Sequence, residues 1–266
     1  MRLLSLAAPA SATRKSRPRM DKTVIKAFQV FERLCQHDGP VSLSELTRET
    51  ELQKSNVHRL LNTLMHLGYV CQTPDASYMP TLKTWTLGSS IRERYNVAAL
   101  ARPALVALRD ELGETSYLAA LDRDSIVYLD VVEGTHRIRV NAKTGGQAPM
   151  HATASGKVLL AFSSGAVLDA LAEPYPRFGP NTPTTRAALE KIMAKVRRDG
   201  YAVNNEEWAE GVMGISVPIR DASGECVAAI GVTGLAVRLA KAPPKRIIAL
   251  LQEHAQAISA TLGFPG

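Results

Sequence analysis

The sequence predicts an α+β chain: an N-terminal winged helix-turn-helix joined by a linker helix to a larger domain with a central antiparallel sheet. Three observations carry that reading. Residues 53–70, QKSNVHRLLNTLMHLGYV, describe a helix with an apolar back and a small, polar, cationic front, ended by Gly68 and followed by an extended run. Basic charge is concentrated near the N-terminus: residues 1–96 hold 14 Lys/Arg against 8 Asp/Glu, and residues 97–266 hold 18 against 17. Beyond Gly113 the texture changes from helical periodicity to strand-like runs interleaved with helices.

The first helix is expected over residues 23–36, with Val24, Ala27, Phe28, Phe31 and Leu34 on one face. Ser42, with Glu45 three residues on, is a capping-box pattern that opens a short second helix, burying Leu43 and Leu46. Leu52-Gln53 turns the chain into the third helix, 54–67, whose apolar face is Val57, Leu60, Leu61 and Leu64. Ser55, Arg59 and Asn62 lie opposite that face, flanked by Asn56 and His58, with Lys54 at the helix start. YVCQT and SYMPT flank the turn-rich tip Pro74-Asp75-Ala76 and read as a hairpin. Three helices plus a hairpin, with a tight turn before the third helix, suit a helix laid in a DNA major groove.

Residues 81–95 read as a helix with Leu82, Trp85 and Ile91 available for packing, followed by a second helix at about 97–112. SYLAALD and SIVYLDVVE are strands separated by Arg123-Asp124, and IRVNAK is a third strand before Gly145-Gly146. Helices follow near 155–163, 164–172 and 185–199. YAVNN, GISVPI and CVAAIGVTGLAV then return as strands, the last two joined by a hairpin at Asp221-Ala222-Ser223-Gly224. A C-terminal helix spans about 243–262. The expected boundaries are an arm at 1–19, a winged helix-turn-helix at 20–82, a linker helix at 83–96 and the larger domain at 97–266.

A hydrophobic content of 45% and a length of 266 residues suit two soluble domains, each with its own core. The net charge of +7 sits with the expected reading head, as phosphate neutralisation requires. Three cysteines, Cys35, Cys71 and Cys226, have no metal-like spacing and read as small core residues or free thiols of a reducing cytoplasm. No apolar run reaches the roughly 20 residues of a membrane span. The opening MRLLSLAAPASATRKSRPRM has a short apolar run with Arg14, Lys15, Arg17 and Arg19 after it, the reverse of a secretion signal. It reads as a disordered basic arm that meets DNA through Arg17 and Arg19, with a start at Met20 as the alternative.

No catalytic set emerges. GGQAPMHATASGK lacks the spacing of a phosphate-binding loop, and G-x-S-x-G is absent. His151, Ser155 and Glu206 are not aligned as a triad by any pattern, and His151 with Glu206 and Glu207 reads as a capped turn and solvated acids rather than a metal site. No cofactor is expected. What remains looks like a pocket rim. PMHATASG opens a helix whose free N–H groups and dipole favour an anion. Asn204 supplies a neutral donor and acceptor, followed by Val212 and Gly214. Gly231 and Thr233, two apart on a strand, face one side and leave room for a ligand.

KSNVHRLLNTLMHLGYV, PMHATASGKVLLA, GYAVNNEEWAEGVMGISVPI and CVAAIGVTG together resemble the IclR family of bacterial transcriptional regulators, over nearly all of residues 22–262. The resemblance implies a GAF-like effector domain, a dimer or dimer of dimers (a homotetramer) on a palindromic double-stranded DNA operator, control of catabolic genes, and a small organic acid or aromatic metabolite as effector. It places effector contacts at Ala154, Ser155, Asn204, Val212, Gly214, Gly231 and Thr233. Asn stands at 204 where relatives often carry Asp, and Gly stands at 214 and 231 where small polar or thiol side chains occur. The missing bulk implies a ligand larger than glyoxylate or pyruvate, and the chain lacks the pattern of the aromatic-acid subgroup. The competing readings are a structural DNA binder without effector and an enzyme tethered to DNA.

Overall fold

The computed structural model describes residues 20–94, 97–241 and 244–265. The basic arm, with Arg14, Lys15, Arg17 and Arg19, lies outside the described residues. Two compact units are present, one ending at Tyr95 and the other beginning at Asn96.

In the N-terminal unit, α1 (Lys22–Cys35) is capped by the Asp21 carboxylate, which accepts from the Thr23 N–H at 2.8 Å. Helix α2 (Leu43–Thr50) is capped by Ser42 Oγ, which accepts from the Glu45 N–H at 3.2 Å. Only half of the expected capping box forms, because the Glu45 carboxylate turns to Arg48 instead of returning to the cap. Glu51, in the left-handed region at φ 55°, closes the turn into α3 (Lys54–His66). Strands β1 (Val70–Gln72) and β2 (Tyr78–Pro80) pair antiparallel as the wing. The core is Val30, Leu34, Leu46, Val57, Leu61 and Tyr78 with their neighbours. The expected α1 face is split. Leu34 is buried, but Val24 and Phe28 are exposed, and Val30 takes the inward place. Helix α4 (Leu82–Arg94) falls within this unit.

The C-terminal unit opens with α5 (Val97–Leu112), β3 (Thr115–Asp122), β4 (Ser125–Val132) and β5 (Gln147–Pro149). Next come α6 (Ala154–Phe162), α7 (Gly165–Asp169) and α8 (Arg186–Asp199). It closes with β6 (Ala202–Asn205), β7 (Val212–Arg220), β8 (Cys226–Leu235), α9 (Ala236–Leu239) and α10 (Pro244–Thr261). The six strands form one antiparallel sheet in the order β5-β4-β3-β8-β7-β6. Strand alternation divides its side chains between two layers. Leu118, Ile215, Val217, Ile230 and Val232 pack with α5 and α10. Tyr117, Ala119 and Ala229 pack with α6 and α8. Two expected elements differ. IRVNAK alternates like a strand but runs as irregular chain, and the short edge strand β5 follows it instead. The helix expected at 164–172 shrinks to five residues. No helix among the described residues is long and apolar enough to cross a membrane.

Candidate functional site

Two surfaces carry chemistry, one in each unit. In the first, α3 buries Val57, Leu60, Leu61 and Leu64 and turns Lys54, Ser55, His58, Arg59 and Asn62 to solvent, with Asn56 half-buried. The front is preorganised: the Arg59 guanidinium donates to Asn56 Oδ1 at 3.2 Å, and Asn62 Nδ2 lies 3.5 Å from His58 Nδ1. Gln53 caps α3 without a side-chain bond, so the first amides of the helix keep their affinity for an anion. The wing tip is neutral to acidic. Hydrogen bonds from Thr73 and Ser77 hold the Asp75 carboxyl below its usual range.

In the second unit, a cavity of about 240 Å³ opens on the α6 face of the sheet. Its floor follows from register. Asn204 pairs with Gly214, and Gly214 with Thr233, so the three stand in one row across β6, β7 and β8. Gly214 in the middle keeps the floor low. The wall is the start of α6, where Thr153 Oγ1 accepts from the Gly156 N–H at 3.1 Å. No protein acceptor among the described residues takes the Ala154 and Ser155 amides. Asn204 is buried, and its Oδ1 accepts from the Glu207 N–H at 2.9 Å, leaving Nδ2 as a donor without a protein partner. Tyr117, Tyr128 and Trp208 supply aromatic walls, and the irregular 140–143 segment supplies Asn141 and Lys143. Burial pushes the Tyr128 hydroxyl up to about 12, so it stays a neutral donor. The lining residues include one cation, Lys143, and no carboxylate.

Ala154, Asn204, Gly214 and Thr233 therefore border one cavity, whereas Ser155, Val212 and Gly231 do not. Ser155 Oγ is fully buried beside the Tyr117 hydroxyl without a well-formed bond to it. Gly231 corrects the expectation that its missing side chain leaves ligand space. It belongs to the next row, between Ser216 and Tyr117, and the Tyr117 hydroxyl fills the place a side chain would take. Burial, and then the neighbouring Tyr128, raise the pKa of that hydroxyl well above the ordinary tyrosine value, so it stays protonated. The aromatic walls were not read from the sequence. The Trp208 signal was present, a tryptophan in a polar loop closed by Gly211, but nothing local joins it to Tyr117 and Tyr128. His151 Nε2 lies 2.9 Å from the Pro176 carbonyl, and Glu207 is committed to Lys157. Among the described residues no His, Cys, Asp and Glu group could hold a metal ion.

A helix-turn-helix reading head on one unit and a polar, anion-tolerant cavity in the other define a ligand-responsive transcriptional regulator. Residues 23–74 match the IclR helix-turn-helix domain, and residues 90–260 match the C-terminal domain of IclR bacterial transcriptional regulators. The chain belongs to the IclR family. It is 31% identical over 258 residues to the HTH-type transcriptional regulator KdgR of Escherichia coli, covering 96% of this chain and 98% of that one. The crystal structure of Thermotoga maritima IclR superposes with a TM-score of 0.73 at 33% identity, covering 91% and 99% of the two chains. A Microbacterium hydrocarbonoxydans IclR homologue, complexed with 4-hydroxybenzoate, superposes with a TM-score of 0.78 at 25% identity, covering 90% and 98%. Family and named relatives are regulators of transcription rather than enzymes.

Proposed function

We propose that this regulator binds a palindromic operator through α3 and releases or tightens its hold when a small organic acid fills the cavity beside α6. One observation carries the reading. Ala154 with its free helix-start amide, the Asn204 side-chain amide and Lys143 border one cavity whose lining includes no carboxylate. A carboxylate against the amides gains from the helix dipole and from charge-assisted hydrogen bonds. The low floor at Gly214 and the aromatic walls suit a body larger than two or three carbons. The acid complexed by the Microbacterium homologue is therefore the first compound to titrate.

Gly214→Leu is the blocking variant. A Cβ there would lie 3.3 Å from the Val232 carbonyl oxygen, a tight contact relieved by a shift of a few tenths of an ångström, and the new side chain extends over the cavity floor. Titrated by calorimetry with 4-hydroxybenzoate and a panel of hydroxy and keto acids, the parent should bind at least one. Gly214→Leu should lose that binding while keeping its DNA affinity. Parent-like ligand affinity in Gly214→Leu would place the effector elsewhere.

The reading head works as a pair. Val24 and Phe28, one helical turn apart on α1, and Trp85 on α4 are 52%, 59% and 69% exposed, apolar side chains whose burial in a homodimer, alone or doubled into a tetramer, accounts for them. The protein acts in the cytoplasm on catabolic genes. Arg17 and Arg19 of the arm add phosphate contacts without reading sequence. Deleting residues 1–19 should flatten the dependence of log K on log salt measured with operator DNA. An unchanged slope would take the arm off the DNA.

A further inference from the structure

Lys157 is the largest fully buried side chain among the described residues, 1% exposed in the otherwise apolar body of α6. Its ammonium lies 2.5 and 2.6 Å from the two Glu207 carboxylate oxygens and donates to the Val203 carbonyl at 2.6 Å. Three donors thus meet three acceptors, and the charge is fully satisfied. Desolvation outweighs the pull of Glu207 and lowers the lysine pKa, a sign of how costly the site is. A buried ion pair of this kind adds little net stability over an apolar pair of the same size. Its value therefore lies in geometry.

That geometry is specific. Lys157 stands one turn beyond Ala154 on α6, and Glu207 sits between Asn204 and Trp208, so the pair links two walls of the cavity. Glu207 is further tied at both backbone ends: its N–H donates to Asn204 Oδ1 at 2.9 Å, and its carbonyl accepts from Thr182 Oγ1 at 2.5 Å. The ion pair is the tie between the 206–208 turn and α6, whereas Asn204 and Asn205 are held separately by their strand pairing with Gly214 and Met213.

We propose that the buried Lys157–Glu207 pair is a positioning device for the cavity: it ties the 206–208 turn to α6, holding Trp208 at the wall and, through the Glu207 N–H, the Asn204 side chain over the floor. The functional consequence rests on the cavity being the effector site. Removing both charges should leave the fold and operator affinity intact, loosen the Trp208 wall and weaken ligand binding.

The chain has two tryptophans, so a Trp85→Phe background leaves Trp208 as its only tryptophan, excited selectively at the red edge beyond tyrosine absorption. In that background the double variant Lys157→Met/Glu207→Met is compared with the parent by thermal unfolding, emission maximum and acrylamide quenching. A near-parental thermal midpoint with red-shifted emission and several-fold stronger quenching is expected. Parent-like emission and quenching would overturn the proposal. Should the double variant fail to fold, Glu207→Gln keeps the shape and removes one charge, and the same two readings decide in it. 4-Hydroxybenzoate and the acid panel are titrated alongside. An acid that binds the parent should bind the folded variant several-fold more weakly, and equal affinity would also overturn the proposal. A parent that binds no acid counts against the effector reading, while the Trp208 measurement still decides the positioning role.

Discussion

Gly231→Leu is expected to destabilise the C-terminal unit, a different outcome from silencing its ligand response alone. A Cβ at 231 would lie 2.5 Å from the Ile215 carbonyl oxygen and 2.7 Å from the Tyr117 hydroxyl. Strand β8 is held between β3 and β7, so it has no free side toward which to yield. Tyr117 is buried, and its ring meets Tyr128 edge to face at 5.3 Å, so it cannot swing aside without breaking the same core. Overpacking of this kind costs about 1–3 kcal/mol, and more where the backbone is struck. Differential scanning calorimetry of the full chain checks it: the transition of the C-terminal unit should fall in Gly231→Leu and stay close to parental in Gly214→Leu. A Gly231→Leu protein that melts with the parent would mean that the Tyr117 side of β8 is more open than its packing indicates.

Arg59→Ala should weaken operator binding by about 1–3 kcal/mol, the worth of one good base contact, which is roughly five- to 150-fold in affinity. Arg59 is exposed and the hydrogen-bond partner of its guanidinium, Asn56, lies on the same helix, so the fold should be unaffected. The loss should be accompanied by relaxed preference at one operator position. Lys54→Ala should weaken all sequences alike and lower the salt slope by about 1, as loss of a phosphate contact does. An operator selected from random-sequence DNA, followed by gel-shift titration, measures both. If Arg59→Ala held that operator as tightly as the parent, α3 would not be the reading helix.

The reading head was legible because its signals are local. The 3.6-residue spacing of Val57, Leu60, Leu61 and Leu64 fixes which face of α3 is buried, and therefore which residues face solvent. Ser42 and Gly68 mark ends within a few residues of the helices they bound. Where local signals compete, the sequence misleads. Val24 and Phe28 read as core but are left outside, because three helices and a small wing cannot cover every apolar side of α1. IRVNAK alternates like a strand, yet the edge of the sheet is taken by β5 and the segment is spent over the cavity.

The sequence by itself determined the two-part organisation, the helix order, the family, and three of the segments that border the cavity, those around Ala154, Asn204–Gly214 and Thr233. Only the tertiary structure decided which residues within those segments face it. Strand register is a pairing between distant stretches, and a shift of one residue reverses every side chain. Asn204, Gly214 and Thr233 share a row only because β6, β7 and β8 align, and that same alignment sets Tyr117 over Gly231 and closes the space a lone glycine suggests. The Lys157–Glu207 pair joins residues fifty positions apart, and a lysine among apolar neighbours looks like a surface residue until the partner that neutralises it is brought into contact.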